Sequence, residues 1–142
     1  MDINKYIENV AKLLDVEIPQ IEQGEGSEYE TSEYQPETDI IILVEELASQ
    51  ESYVTLAHEF RHKWQWEKNR DVYFTDYKQR EEIVPEKYEM QLAEIDANAF
   101  AMLVCFKLLG GGPTFPNQTE CVRKLIFKRA AELSEEYGWD IF

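Results

Sequence analysis

"LAHEFRHKWQ", residues 56–65, holds the chain's only two histidines, His58 and His62, four positions apart with Glu59 directly after the first. The pattern is H-E-x-x-H. It brings two imidazoles to one ion only if the segment is helical, because a helix sets residues i and i+4 on one face. The flanking residues favour a helix. From a cap at Ser49 or Ser52 to about Lys68 there is no Pro or Gly, and Tyr53, Leu56, Ala57, Phe60 and Trp64 form one apolar stripe. At about 100° per residue both histidines fall nearly opposite that stripe, so the stripe is expected on a core with the imidazoles pointing away from it. Glu59 is rotated to the side of the pair, where it reaches a water at the metal without ligating the metal. Solvated histidines on an amphipathic helix are the competing reading, and a third ligand decides between the two.

Composition sets the frame for that search. With 142 residues, 44% of them hydrophobic and 13% aromatic, the chain is expected to form one domain able to bury its own core. No apolar run approaches the roughly 20 residues of a membrane span, and "MDINKYIENVAKLLD" lacks the pattern of a signal peptide, so a cytoplasmic protein without a membrane partner is expected. Cys105 and Cys121 lie in helical patterns and are expected as reduced, buried thiols. A formal net charge of -15 argues against direct binding to a nucleic-acid backbone. Residues 13–60 contain no Lys or Arg, while acids recur through Glu45, Glu46, Glu51 and Glu59. Two readings of this half stay open, an acidic rim favouring basic substrate segments and a plain solvated surface. Arg123, Lys124, Lys128 and Arg129 are expected to pair with it.

Along the chain there is no internal repeat and no low-complexity linker. Residues 2–15 carry Ile3, Ile7, Val10 and Leu14 at helical spacing. "VEIPQIEQ" (16–23) and "SEYETSEYQ" (27–35) read as short strands, broken at Gly24 to Gly26 and by Pro36. "TDIIILV" (38–44) reads as a buried strand feeding the histidine helix. After a polar, turn-rich stretch, Pro85 is expected to open one long helix to about Leu109, stopped by "GGGP", and a last helix runs from about Gln118 to Tyr137.

The helix expected over 85–109 contains "AEIDANAFAMLVCF" (93–106), apolar almost all the way round beyond Ala97 and so expected to be central and buried. Glu94, Asp96 and Asn98 interrupt it. Buried carboxylates are costly unless paired or metal-bound. Glu94 shares a face with Ala97, Asn98 and Ala101, and the alanines allow close approach of another helix. With no histidine left, Glu94 is the best-placed third ligand. Asp96, rotated about 200° from it, is assigned to hydrogen bonding, and Asn98 to orienting a ligand from behind.

"HEFRH" followed 32 residues after His62 by Glu94 in "EIDANAFA" resembles the gluzincin arrangement of zincin metallopeptidases, and specifically the small ImmA/IrrE-type proteins. The likeness covers about residues 38–109. Arg61 before the second histidine and the following "KWQW" depart from the smaller residues common in the family. The resemblance implies an α+β, zincin-like fold in which a small twisted sheet packs on the H-E-x-x-H helix with the glutamate helix beneath. It also implies that the strand at 38–44 pairs with an extended substrate, and that relatives of the ImmA type cleave a repressor.

The chemistry expected is zinc-dependent hydrolysis of peptide bonds in a protein or peptide substrate. His58, His62 and Glu94 hold Zn²⁺, and Glu59 serves as the general base that later returns a proton to the leaving amine. Tyr73, Tyr77, Tyr88 and Arg61 are all candidates to stabilise the oxyanion. The alternatives are a catalytically inactive zinc-binding module and a metal-free acidic interaction protein.

Overall fold

The computed structural model describes residues 1–24 and 31–140, which form an α+β fold of a three-stranded sheet and six α-helices. The first helix, α1 (Ile3–Leu14), starts where Asp2 accepts hydrogen bonds from the Asn4 and Lys5 amides, and it buries Tyr6, Ile7, Val10 and Leu14 at the expected spacing. The strands are β1 (Gln20–Gln23), β2 (Glu33–Gln35) and β3 (Ile40–Leu43), in the order β1-β3-β2. Residues 27–30 of one expected strand lie outside the described residues.

β3 runs parallel to β1, with Ile41 opposite Ile21, and antiparallel to β2, with Ile41 opposite Tyr34. This corrects the expectation that the 38–44 strand offers an edge to substrate. Both sides of β3 are already paired, and its apolar run reflects burial between two neighbours and on the core, where Ile41, Ile42 and Leu43 are almost fully enclosed. The edges belong to β1 and β2.

The histidine helix is α2 (Gln50–Lys68), capped by the Ser49 hydroxyl on the Ser52 amide. It lies between the sheet on one side and α5 (Leu92–Leu109) on another. Its apolar stripe is buried as expected at Leu56, Ala57 and Phe60, but Glu59, Arg61, Lys63 and Gln65 are buried too. The face bearing the histidines therefore meets α5 on one side and a cleft on the other.

The expected helix 85–109 is two helices, α4 (Pro85–Glu89) and α5, separated at Met90 and Gln91. The break has a tertiary cause. Gln91, in extended conformation, places its side chain against the backbone N–H (2.6 Å) and C=O (2.9 Å) of Lys78 and ties the preceding loop to the start of α5. That loop holds a short helix absent from the sequence reading, α3 (Arg70–Phe74), and one 3-10 turn (Arg80–Glu82).

From Ala93 to Cys105 every residue of α5 is buried, and the helix ends at Gly110, whose φ of 80° is a left-handed cap open to glycine without strain. The last helix, α6 (Glu120–Tyr137), is capped by Thr119 and packs on α5, burying Val122, Ile126, Ala130 and Leu133. Cys105 is buried as expected. Cys121, at the first turn of α6, is exposed, contrary to expectation, because the apolar face of that helix begins at Val122. No helix among the described residues is long and apolar enough to cross a membrane.

Candidate metal centre

α2 and α5 cross where the two alanines expected to permit close approach, Ala97 and Ala101, are fully buried, and the crossing brings His58, His62 and Glu94 together. The candidate ligand atoms of these three residues all lie within 4.8 Å of one another. His58 Nε2 is 3.3 Å from Glu94 Oε1, His62 Nε2 is 3.2 Å from Glu94 Oε2, and the two rings meet edge to face at 4.6 Å between centroids.

Each imidazole is fixed from behind. His58 Nδ1 lies 2.8 Å from Asn98 Oδ1, the contact expected for Asn98. His62 Nδ1 lies 2.8 Å from Gln65 Oε1, which the sequence reading did not single out. The Gln65 amide is held in turn, because its NH₂ donates to Ala93 O (3.0 Å) and to Asp96 Oδ2 (2.8 Å). An acceptor oxygen behind Nδ1 requires the Nδ1–H tautomer when the ring is neutral and leaves the Nε2 lone pair toward Glu94. The signal for Gln65 was its place one turn beyond His62 on the same helix face.

Glu94 is 1% exposed and also accepts from the Tyr77 hydroxyl at 2.6 Å, while Tyr77 Oη lies 2.7 Å from the Tyr88 hydroxyl. With one proton per hydroxyl, Tyr77 donates to the carboxylate and accepts from Tyr88. The clasp of Gln91 on Lys78 holds Tyr77 at that point. Burial alone pushes Glu94 upward, but the charges and hydrogen bonds of His62 and His58 win and hold it well below the usual carboxylate range. Burial likewise pushes both imidazoles down. In His62 the charge of Glu94 and in His58 that of Glu59 head the opposing effects, and both rings are raised.

Glu59 is 5% exposed and faces the same space, with neither a hydrogen bond nor an ion pair among the described residues. Burial raises its carboxyl above the ordinary value, against the pull of His58 and His62. All four residues line a cleft of about 540 Å³, which is bordered by residues 31–37, by Trp66 and Phe74, and by the loop from Tyr77 to Glu81. Lys63, buried on α2, holds the hairpin above the cleft through Asp39 at 2.9 Å.

Of the four oxyanion candidates, Tyr77 and Tyr88 line the cleft and Arg61 and Tyr73 do not. Arg61 lies behind the centre, fully buried, with Nε 2.7 Å and Nη2 3.1 Å from the two oxygens of Asp96 and its guanidinium 3.7 Å over the Trp64 ring. Its bulk is what fills this position. Asp96 also accepts from Arg129 at 2.8 Å, in line with its assignment to hydrogen bonding. Pairing of the late basic residues with the acidic first half is corrected. Arg129 meets Asp96, Glu132 and Glu136, Lys124 meets Glu120, and Arg123 caps the carbonyls of Pro116 and Gln118, because α6 packs on α5 on the side away from the sheet.

Comparison with protein-family models, curated proteins and solved structures finds no match to this chain.

Proposed function

We propose that this protein is a zinc-dependent peptidase of zincin-like architecture, similar to the ImmA/IrrE type. The observation that carries the reading is the convergence of two imidazole Nε2 atoms and one ionised, buried carboxylate beside an unpartnered glutamate on a cleft. The donor set fits the ion. Two neutral imidazole nitrogens and one carboxylate are the N and O ligands of a catalytic zinc with its fourth position open, and one such atom from each residue gathers within 4.8 Å of the others.

His58, His62 and Glu94 would hold zinc, which when bound would supply Lewis-acid chemistry toward a carbonyl and toward water. The remaining work belongs to the chain. Glu59, free of side-chain partners and raised by burial above the ordinary carboxylate value, takes a proton from the attacking water and passes it to the leaving amine. Asn98 and Gln65 keep both Nδ1 atoms protonated, and Tyr77 fixes the Glu94 carboxylate. With β3 enclosed, β2 is the edge beside the cleft on which an extended substrate backbone lies.

Elemental analysis of protein purified without added metal tests the centre. About one zinc per chain is expected, lost in both Glu94→Ala and His58→Ala. Glu59→Gln is expected to keep zinc while peptide hydrolysis falls about 10²–10⁴-fold. A folded chain that neither contains nor takes up zinc overturns the reading, and undiminished hydrolysis by Glu59→Gln overturns the role of Glu59.

A further inference from the structure

The cleft around the proposed centre has an uncompensated charge. Glu33 and Glu37 border it from β2 and the turn after it, and Glu81 from the loop; all three are exposed, and among the described residues none forms an ion pair. Arg80, the cation among the cleft-lining residues, is already engaged by Glu89 at 3.4 Å and by the Tyr88 ring at 4.3 Å. Deeper in the same space lies Glu59, nine-tenths buried and without a hydrogen-bonding or ionic partner among the described residues. A buried carboxyl left open to a cleft marks a place where a ligand or water completes the contacts.

We infer that the cleft selects an extended peptide segment bearing Lys or Arg side chains, a substrate class that deepens the peptidase reading and rests on it. A divalent ion at the three ligands offsets charge only at the floor, and Glu33, Glu37 and Glu81 remain for the substrate to answer. The β2 edge favours an extended backbone, whose alternate side chains point the same way at a spacing of about 6.6 Å. Long cationic side chains suit the lining. Their methylene stems lie along the Trp66 and Phe74 rings while the charged ends reach the carboxylates in solvent. An acidic or phosphorylated segment meets like charge on two borders of the cleft and is rejected.

The test uses zinc-loaded Glu59→Gln protein, so that binding is read without turnover. Three labelled peptides of one length are compared, with Ala alternating with Lys, with Gln or with Glu. The Lys peptide is expected to bind about tenfold more tightly than the Gln peptide, the sum of a few exposed charge pairs, with the Glu peptide weakest. Added salt shrinks the preference. Combining Glu33→Lys, Glu37→Lys and Glu81→Lys is expected to abolish or reverse it with zinc content unchanged. Single Glu→Gln exchanges at these positions each lose a share of it, and they keep the test sound if the triple variant fails to fold. Equal binding of the three peptides, or a preference that survives these exchanges, overturns the inference and leaves the zinc reading standing. Absence of zinc from the loaded protein overturns that reading first and the inference with it.

Discussion

Two clusters of buried charge lie side by side between α2 and α5, built on Glu94 and Asp96, two residues apart on one helix. At Asp96 every acceptor is answered. Arg61 takes both oxygens, Arg129 adds a bond to one and Gln65 to the other, and two guanidinium groups more than balance the one carboxylate. At Glu94 the arrangement is left open. Two imidazoles converge on the carboxylate from 3.2 and 3.3 Å with their Nε2 atoms turned inward, and the group borders a cleft instead of a packed interior. On the proposed reading, the difference separates a polar cluster that holds helices together from one that holds a metal ion. The first has spent its hydrogen-bonding capacity on the protein, and the second keeps converging donors for a ligand.

The largest contrast comes from breaking each cluster in turn. Asp96→Ala strands Arg61 in the core without its carboxylate and is expected to cost about 3–5 kcal/mol, read by urea denaturation with chelator present. Glu94→Ala is expected to cost the metal-free chain much less, since the imidazoles left behind can become neutral, but to abolish the stabilisation that zinc gives the unmodified protein. That stabilisation is about 4 kcal/mol at a thousandfold excess over the dissociation constant. If the two variants lose stability equally and zinc stabilises both, the two clusters are not distinct in kind.

A finer test concerns the residues behind the imidazoles. Asn98→Ala removes the Nδ1 partner of His58 and is expected to weaken zinc binding about 10–100-fold with little effect on metal-free stability. Gln65→Ala should weaken zinc binding similarly through His62 and also destabilise the metal-free chain, because Gln65 belongs to both clusters. Competition with a chromophoric chelator measures the first effect and denaturation the second. Equal metal-free stability of the two variants would show that Gln65 does not couple the clusters.

The open cluster was more legible in the sequence than the closed one. His58, Glu59 and His62 follow from one helix and its period, and Glu94 and Asn98 from carboxylate and amide positions in an otherwise apolar helix, because each signal is local or is a conspicuous exception. Arg61 read as an odd residue in the motif and as an oxyanion candidate, since its partner, Asp96 of α5, is tertiary. Gln65 gave no signal beyond helical spacing. The break before α5 depends on a side chain reaching a loop 13 residues earlier, and α3 is too short to show a period. For "TDIIILV" burial was readable but the identity of its neighbours was not, and that is why the edge facing the cleft was assigned to β3 and belongs to β2.

The smallest expected effect is the response to pH, where Glu94 and Asp96, both held below the usual carboxylate range, act with one sign and the imidazoles of the open cluster with the other. Burial opposes ionisation of Asp96, but the hydrogen bonds and charge of Arg61 hold its carboxyl below the ordinary value of 3.8. Its contribution to stability is therefore present above that value and lost as pH falls through the folded pKa. His58 and His62 are raised above 6.5 in the metal-free chain. Their contribution is complete below 6.5 and fades as pH rises through the folded values, and the raised carboxyl of Glu59 acts in the same direction. Zinc reverses this half of the balance, because it binds neutral imidazoles and must displace their protons, so its affinity grows with pH. Between about pH 6 and pH 9 the chelator-treated protein is expected to lose stability, and the zinc-saturated protein to lose less or to gain. Denaturation curves at the two pH values, with and without zinc, measure the crossing. Parallel pH profiles would mean that zinc does not exchange with protons on His58 and His62.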